Sequence, residues 1–453
     1  MILLIKVINM KKSSTVTSNT KHLRNKILEL AEKNGLTEPY YKTILDYTIT
    51  NLKSNDFAEK YYGYHNIDHL LEVPFCTLLV GDSNKIPNLS YDDLKYLFIA
   101  AIFHDFEPDK ITDKPNEENV LKNLQIDAKL KELILETGID FEIVKVLIYR
   151  TAYPWTGKLK QNTEASIQGC FEASEITRNK PEKQEHYMWL GWILSIIDRT
   201  ASYVLGDFSK AMHVAKMNSH ALAWHPEVLV QRSVTYFEEI TENESKISQL
   251  VLGCLPIDMQ NNFTGTIQKF AELRQKELQN AENFANQKLK FVPIMEFQGI
   301  KKTAEFANTL HSIYKQLPKP LRFNETDFID SLNNSKTILT TLRLDNVNGD
   351  VIGFAKGGPL ENYNLRSEIK DENHGKRNTV FLEPIALRMG YWGLGAGHTL
   401  RQSFLMQALT MNFNFLTSFA FRDVIEKRTK SMEKAEFVFK FDPERWDYYR
   451  IEL

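Results

Sequence analysis

The chain has 453 residues, 43% hydrophobic and 25% charged, with 56 Lys and Arg against 58 Asp and Glu. That balance supplies sizeable cores and excludes a disordered chain, and a net charge of −2 excludes a global basic field for nucleic acid or anionic lipid. Three cysteines (Cys76, Cys170, Cys254) without a C-x-x-C exclude a disulfide scaffold and a cysteine zinc finger, and fit a reducing, cytoplasmic setting.

The apolar opening, Met1 to Met10, is far shorter than the roughly 20 residues of a bilayer span and lacks a charged n-region and a small-residue cleavage site. Residues 1–20 are expected to be a disordered extension, with Met10 as an alternative start, and no membrane contact is expected. Low glycine and stripes of period 3.6 then predict helices at 21–34, 39–53, 66–80, 90–106, 140–150, 183–205, 226–252 and 262–287. The fourth is the clearest, with Ser90 and Asp93 in a capping-box pattern ahead of Leu94, Leu97, Phe98, Ala101 and Ile102.

Ten of the 20 glycines fall in 1–289 and ten in the shorter remainder, where the pattern changes. Strands are predicted at 291–297, 337–344, 350–356, 379–389 and 413–420, with a β-like tail from Phe437. Helices are predicted at 301–316, 324–333, 397–411 and 423–434, and a polar loop at 361–378. A boundary near 285–290 gives an all-α domain at 21–288 and an α+β domain at 289–453.

Within the helical half, Tyr64-His65-Asn66-Ile67-Asp68-His69 puts two histidines four apart, on one face of a helix. Phe103-His104-Asp105 closes the apolar helix, and Asp198 lies inside another, Ile193 to Arg199. A buried ionised carboxylate costs several kcal/mol unless it is paired or bound to a metal, so both acids call for cations nearby. Singly, each has a structural reading. His104 could be a core histidine, Asp198 could pair with Arg199 or Arg150, and His65 and His69 could be surface residues. Jointly, imidazole and carboxylate suit a divalent metal: zinc, manganese, iron, cobalt or magnesium.

Tyr64-His-Asn-x-x-His69, Ala100-Ala-Ile-Phe-His104-Asp105 and Asp198 together resemble the HD-domain superfamily of metal-dependent phosphohydrolases. The resemblance spans roughly residues 35–210 and implies His69, His104, Asp105 and Asp198 as metal ligands, with Asp105 able to bridge two ions. It implies His65 as general acid, although His65 and His69 could both ligate. Glu117, in Asp113-Lys-Pro-Asn-Glu117-Glu118, resembles the N-E segment of one bacterial subset or is a loop residue. Arg150 and Arg199 are phosphate clamps or structural ion pairs. Phosphoester hydrolysis is the expected chemistry, of a nucleotide or another small molecule. A lyase or oxygenase with the same metal cage is the alternative.

Near the C-terminus, Ile385-x-Leu387-x-x-x-Tyr391-Trp392-Gly393-x-Gly395-x-Gly397 joins a strand to a helix start. Glycines there let backbone N–H groups approach an anion. The pattern and the order of elements over 290–453 resemble the GNAT acyl-CoA N-acetyltransferases. That resemblance implies that Leu387, Arg388 and Met389 bond the pantetheine arm. It implies that Gly393, Leu394, Gly395, Ala396, Gly397 and His398 cradle the pyrophosphate of acetyl-CoA. Glu383 is a candidate general base for an amine acceptor, or a surface glutamate at a strand end. Trp392 replaces the usual arginine or glutamine, and Met432 stands where a tyrosine often protonates the leaving thiolate. A binding or regulatory role for this half is therefore the alternative to acetyl transfer.

Overall fold

The computed structural model describes residues 20–54, 63–83, 85–108, 116–221, 224–297, 302–318, 321–323, 325–365, 369–421, 424–426, 435–440 and 446–453. Residues 1–19 of the expected extension, Asp113, Met432 and most of the predicted helix at 423–434 lie outside them. Packing divides the chain into two compact units, Met1–Leu222 with Arg232–Lys269, and Ala223–Gln231 with Phe270–Leu453. The division falls within a long helix rather than near 285–290. Asn280 of that helix donates to the Gly390 carbonyl (2.8 Å), and Phe284 stacks on Phe291, so its second half packs with the second unit.

The first unit is built from helices. They are α1 (20–33), α2 (Pro39–Ser54), α3 (Ile67–Asp82), α4 (Tyr91–Phe103), α5 (Glu117–Ile126), α6 (Ala128–Glu136) and α7 (Phe141–Tyr149). Then follow α8 (Gly157–Ala173), α9 (Pro181–Val204), α10 (Phe208–Ala221), α11 (Leu229–Glu238), α12 (Ser245–Cys254) and the first part of α13 (Ile257–Ala285). The capping box forms as predicted: Ser90 accepts from the Asp93 N–H, and Asp93 accepts from the Ser90 N–H. From Tyr96 to Phe103 every residue of α4 is buried, the mark of a central helix. Helices α3, α7 and α9 pack around it. The predicted helix at 226–252 is instead a 3₁₀ turn (Pro226–Val228), α11, a π turn (Glu239–Asn243) and α12. Among the described residues, no helix is long and apolar enough to cross a membrane.

The second unit holds a mixed sheet of β1 (Phe291–Met295), β2 (Ile338–Leu344), β3 (Val351–Pro359), β4 (Thr379–Leu382), β5 (Ala386–Leu387), β6 (Phe415–Phe421), β7 (Ala435–Lys440) and β8 (Trp446–Glu452). Their order is β1-β2-β3-β4-β6-β8-β7, with β5 on β3; β4–β6 is the parallel pair. Alternate residues face opposite sides. Ile338 and Leu342 pack with Leu400, Phe404 and Ala408 of α16 (Ala396–Thr410). Leu339, Val351 and Phe354 pack with Leu310, Ile313 and Tyr314 of α14 (Ala304–Tyr314) and Phe328 of α15 (Phe328–Leu332). Gly357 is obligatory, since a Cβ there would lie 2.1 Å from the Phe381 carbonyl and strike the Phe404 ring.

The predicted strand at 379–389 is two strands, β4 and β5. Pro384 has no N–H for the ladder and marks the break. The parallel pairing ends at Leu382↔Ser418. Beyond it β5 stays with β3, while β6 runs on to Phe421 beside β8, so the sheet parts between β5 and β6.

Candidate metal centre and glycine loop

Three helices bring four side chains to one point in the first unit. Asn66 caps α3, its Oδ1 accepting from the N–H groups of Asp68 and His69. This sends the buried His69 inward from the first turn. His65 therefore precedes the helix and does not share a helical face with His69, as the spacing alone suggested. His104 and Asp105 follow the last turn of α4, and Asp198 projects from the middle of α9.

The donor atoms of His69, His104, Asp105 and Asp198 all lie within 4.8 Å of one another. The His69 and His104 Nε2 atoms are 3.3 Å apart. Asp105 Oδ2 is 3.3 and 3.1 Å from them, and Asp198 Oδ1 3.0 and 3.5 Å. Ligands at about 2.1 Å from one ion, tetrahedral or octahedral, stand roughly 3.0–3.4 Å apart, so these spacings fit a single shared cation.

The tautomers fit too. His104 Nδ1 donates to the Ala101 carbonyl (2.8 Å), which leaves Nε2 as a lone pair toward the centre. His69 Nδ1 faces Ser202 Oγ at 3.4 Å. Ser202 donates to Glu72 Oε2 (2.5 Å), and Lys210 holds the other Glu72 oxygen (2.5 Å). This outer chain orients His69. Asp105 Oδ2 is buried and makes no hydrogen bond despite its close contacts. Without a cation, neutrality requires protons on both rings. Burial opposes that charge, but Asp105 and Asp198 raise His69 and hold His104 well above the usual imidazole range. Burial likewise opposes charge on Asp198, yet the two imidazoles bring it down to about 2. A divalent cation provides the same neutralisation and uses the lone pairs directly.

A cleft opens beside the four donors, lined by His65, Asp105, Glu117, Thr151, Asp198 and Arg199 among others. His65 is outside the converging set but borders it, its ring 5.8 Å from that of His69. Glu117, read as a loop residue or a family marker, is the first residue of α5 and faces this cleft. Arg199 does not pair with Asp198. It grips Glu244 through both Nη atoms at 2.7 and 2.8 Å. Among the described residues Arg150 makes no ion pair, and it lies over the Trp155 ring, 4.1 Å from its centroid. The sequence reading missed the Glu72–Ser202–Lys210 support. Glu72, three residues after His69 in an otherwise apolar helix, was its available signal.

In the second unit, Gly390, Gly393 and Gly395 all take positive φ (93°, 78° and 78°). Gly395 is the left-handed N-cap of α16, and a Cβ there would meet nothing within 4 Å, so open space faces the helix start. Ala396 is buried against Leu400, Leu394 and Gly397 are half-buried, and His398 is exposed. Glu227 stands near Gly393, its Oε2 3.5 Å from where a Cβ would be. The Arg388 N–H is spent on the Ile352 carbonyl (2.8 Å), and the Met389 N–H on Gln316 Oε1 (3.1 Å). Of the three residues expected to bond a pantetheine arm, Leu387 has its backbone N–H and C=O turned toward the parting in the sheet. Glu383 is not on the surface: it is buried with Lys356, whose ammonium it holds at short range, and accepts from Tyr363 (2.9 Å). Burial raises its carboxyl above the usual range, with Lys356 and Tyr363 pulling the other way.

No family model and no curated protein matches the chain. Among solved structures, an acetyltransferase of the GNAT family from Staphylococcus aureus Mu50 aligns over 36% of this chain and 99% of its own, at 13% identity and TM-score 0.25. An N-acetyltransferase from the same strain aligns over 36% and 98%, at 17% identity and TM-score 0.24. The GNAT domain of PAT from S. lividans aligns over 36% and 90%, at 10% identity and TM-score 0.25. At those scores the likeness carries no argument of its own, and the geometry above has to carry the functional reading.

Proposed function

We propose that the first unit is a divalent-metal-dependent phosphohydrolase of the HD type and that the second binds acetyl-CoA. The observation that carries the first half is the convergence of His69, His104, Asp105 and Asp198 at ligand spacing. Two imidazoles and two carboxylates favour zinc, manganese, iron or cobalt over magnesium. Such an ion, when bound, supplies positive charge for a phosphoryl oxygen and acidifies a water. His65, beside the donors and outside them, gives the proton that the departing ester oxygen needs. Arg199, fixed by Glu244, keeps a guanidinium in the cleft wall. The direct test is metal analysis of the purified chain combined with hydrolysis of a panel of phosphomonoesters, phosphodiesters and nucleotides. Metal in stoichiometric amount with no turnover would leave the hydrolase reading without support and favour a lyase or oxygenase.

For the second unit, the supporting observation is the parted sheet beside a glycine loop that opens onto the start of α16. An extended arm can add to the free edge of β5 while the helix N-terminus receives a pyrophosphate. An amine acceptor would complete an acetyl transfer. A second reading, binding without transfer, is favoured by Glu383, whose carboxylate is engaged by Lys356 and Tyr363 rather than waiting as a base. Calorimetric titration with acetyl-CoA tests binding, and release of free thiol in the presence of amines separates the two readings.

A further inference from the structure

Arg150 is 6% exposed, and its guanidinium sits between two indoles, 4.1 Å from the Trp155 centroid and 5.4 Å from that of Trp192. Among the described residues it has no hydrogen-bond or ion-pair partner. None of its N–H donors is among the fully enclosed polar atoms, so an outside acceptor can reach a guanidinium that the protein itself leaves without one. The carboxylate with the strongest pull on it is spent: Arg199 takes both oxygens of Glu244, and Trp192 Nε1 donates to Oε2 as well. Two guanidinium groups thus face Glu244, and only the more distant charge of Glu164 acts on Arg150 besides it. Burial brings Arg150 down to about 10, so it is still a cation at neutral pH.

The helix facing it is cut to admit it. Gly191, the lone glycine of α9, lies where a Cβ would come within 2.7 Å of Arg150 Cβ. A glycine in a helix interior costs about 1 kcal/mol relative to alanine. Thr151, the next residue in the chain, lines the cleft together with Asp105, Asp198 and Arg199.

We infer that Arg150 is an anion clamp that takes two oxygens of a phosphate group, so that the cleft selects substrates carrying a second anionic group besides the one that meets the metal ligands. Planar, indole-stacked guanidinium suits bidentate phosphate better than an ammonium would. The selection of substrate rests on the phosphohydrolase reading; the anion site itself does not.

The test uses full-length, metal-free protein titrated with inorganic pyrophosphate and followed by tryptophan fluorescence, because Trp155 and Trp192 flank the clamp. A saturable change is expected, with Kd raised roughly tenfold or more in Arg150→Gln, the usual worth of a charged hydrogen bond. Arg150→Lys, which keeps the charge and loses the fork, should weaken binding by a smaller factor and serves if Arg150→Gln does not fold. Gly395→Val, run in parallel, removes any signal from the loop bearing Trp392 and should leave this response intact. A Kd unchanged in both Arg150 variants, or a response that vanishes in Gly395→Val, overturns the clamp. Binding through Arg150 without any ester hydrolysis by the metal-loaded protein sustains the clamp and removes the hydrolase reading. Hydrolysis whose KM ratio between bis-anionic and mono-anionic esters is the same in wild type and Arg150→Gln removes the selectivity.

Discussion

Asp105→Ala should abolish most of the stability that metal gives the helical unit. The four donors stand 3.0–3.5 Å apart across their carboxylate–imidazole contacts, close enough for each to bond one ion. Binding only to the folded state adds RT ln(1 + [L]/Kd), about 2.7 kcal/mol at a hundredfold excess over Kd. For a unit of this size each kcal/mol moves the midpoint by about 2–4 °C, so chelation should lower the wild-type melting temperature by about 5–11 °C. Outer supports of a metal site are worth about 10–100-fold in affinity, and a direct ligand is worth at least the upper figure. At the same metal concentration Asp105→Ala would then sit near its own Kd, where the gain is about 0.4 kcal/mol. Calorimetric melting of both proteins, with and without chelator, reads the difference, and elemental analysis gives occupancy. If the reasoning fails, the four residues are a salt-bridge cluster. Chelation then leaves the wild-type midpoint unmoved, while Asp105→Ala destabilises both forms alike.

His65→Ala should leave metal content unchanged and cut turnover about 10²–10⁴-fold, the usual worth of a general acid; loss of metal would make His65 a ligand instead. Glu72→Gln keeps the shape but weakens the hold on Ser202 and His69, so metal titration should give a Kd raised about 10–100-fold with the fold intact. Gly395→Val places a β-branched residue at φ 78° and fills the open space at the start of α16, so calorimetry should detect no acetyl-CoA binding while metal binding persists. A fragment beginning at 289 lacks Asn280 and Phe284, and should melt lower than one beginning at 270, which keeps both.

The four converging donors were legible in the sequence because each sits in or directly beside an apolar helix as a polar group that cannot be buried alone. The order of strands and helices after residue 290 was legible for a similar reason, since glycine and β-branched runs punctuate it. Helices α5, α6, α8 and α10 were not seen. Gly157–Ala173 buries only Thr163, Ile167, Cys170 and Phe171, and such a thin, mixed stripe gives little periodic signal. Spacing also misled at His65: an i, i+4 count assumes a helix, and Asn66 delays its start by capping it. The Lys356–Glu383 pair had no local signal, because the two residues meet only through the β3–β4 pairing, and only Pro384 announced the break beside them.

The position of His104 and Asp105 bears on how fast metal could leave. They follow directly on α4, whose residues Tyr96–Phe103 are all buried. Segments of this kind open only with the whole unit, so their amide protons should be among the last to exchange with solvent. A bound ion would not have to share that clock. Two of its four anchors would stay fixed while the core helix is folded, so an ion leaving through the cleft would exchange its bonds for water one at a time against a set that does not drift apart.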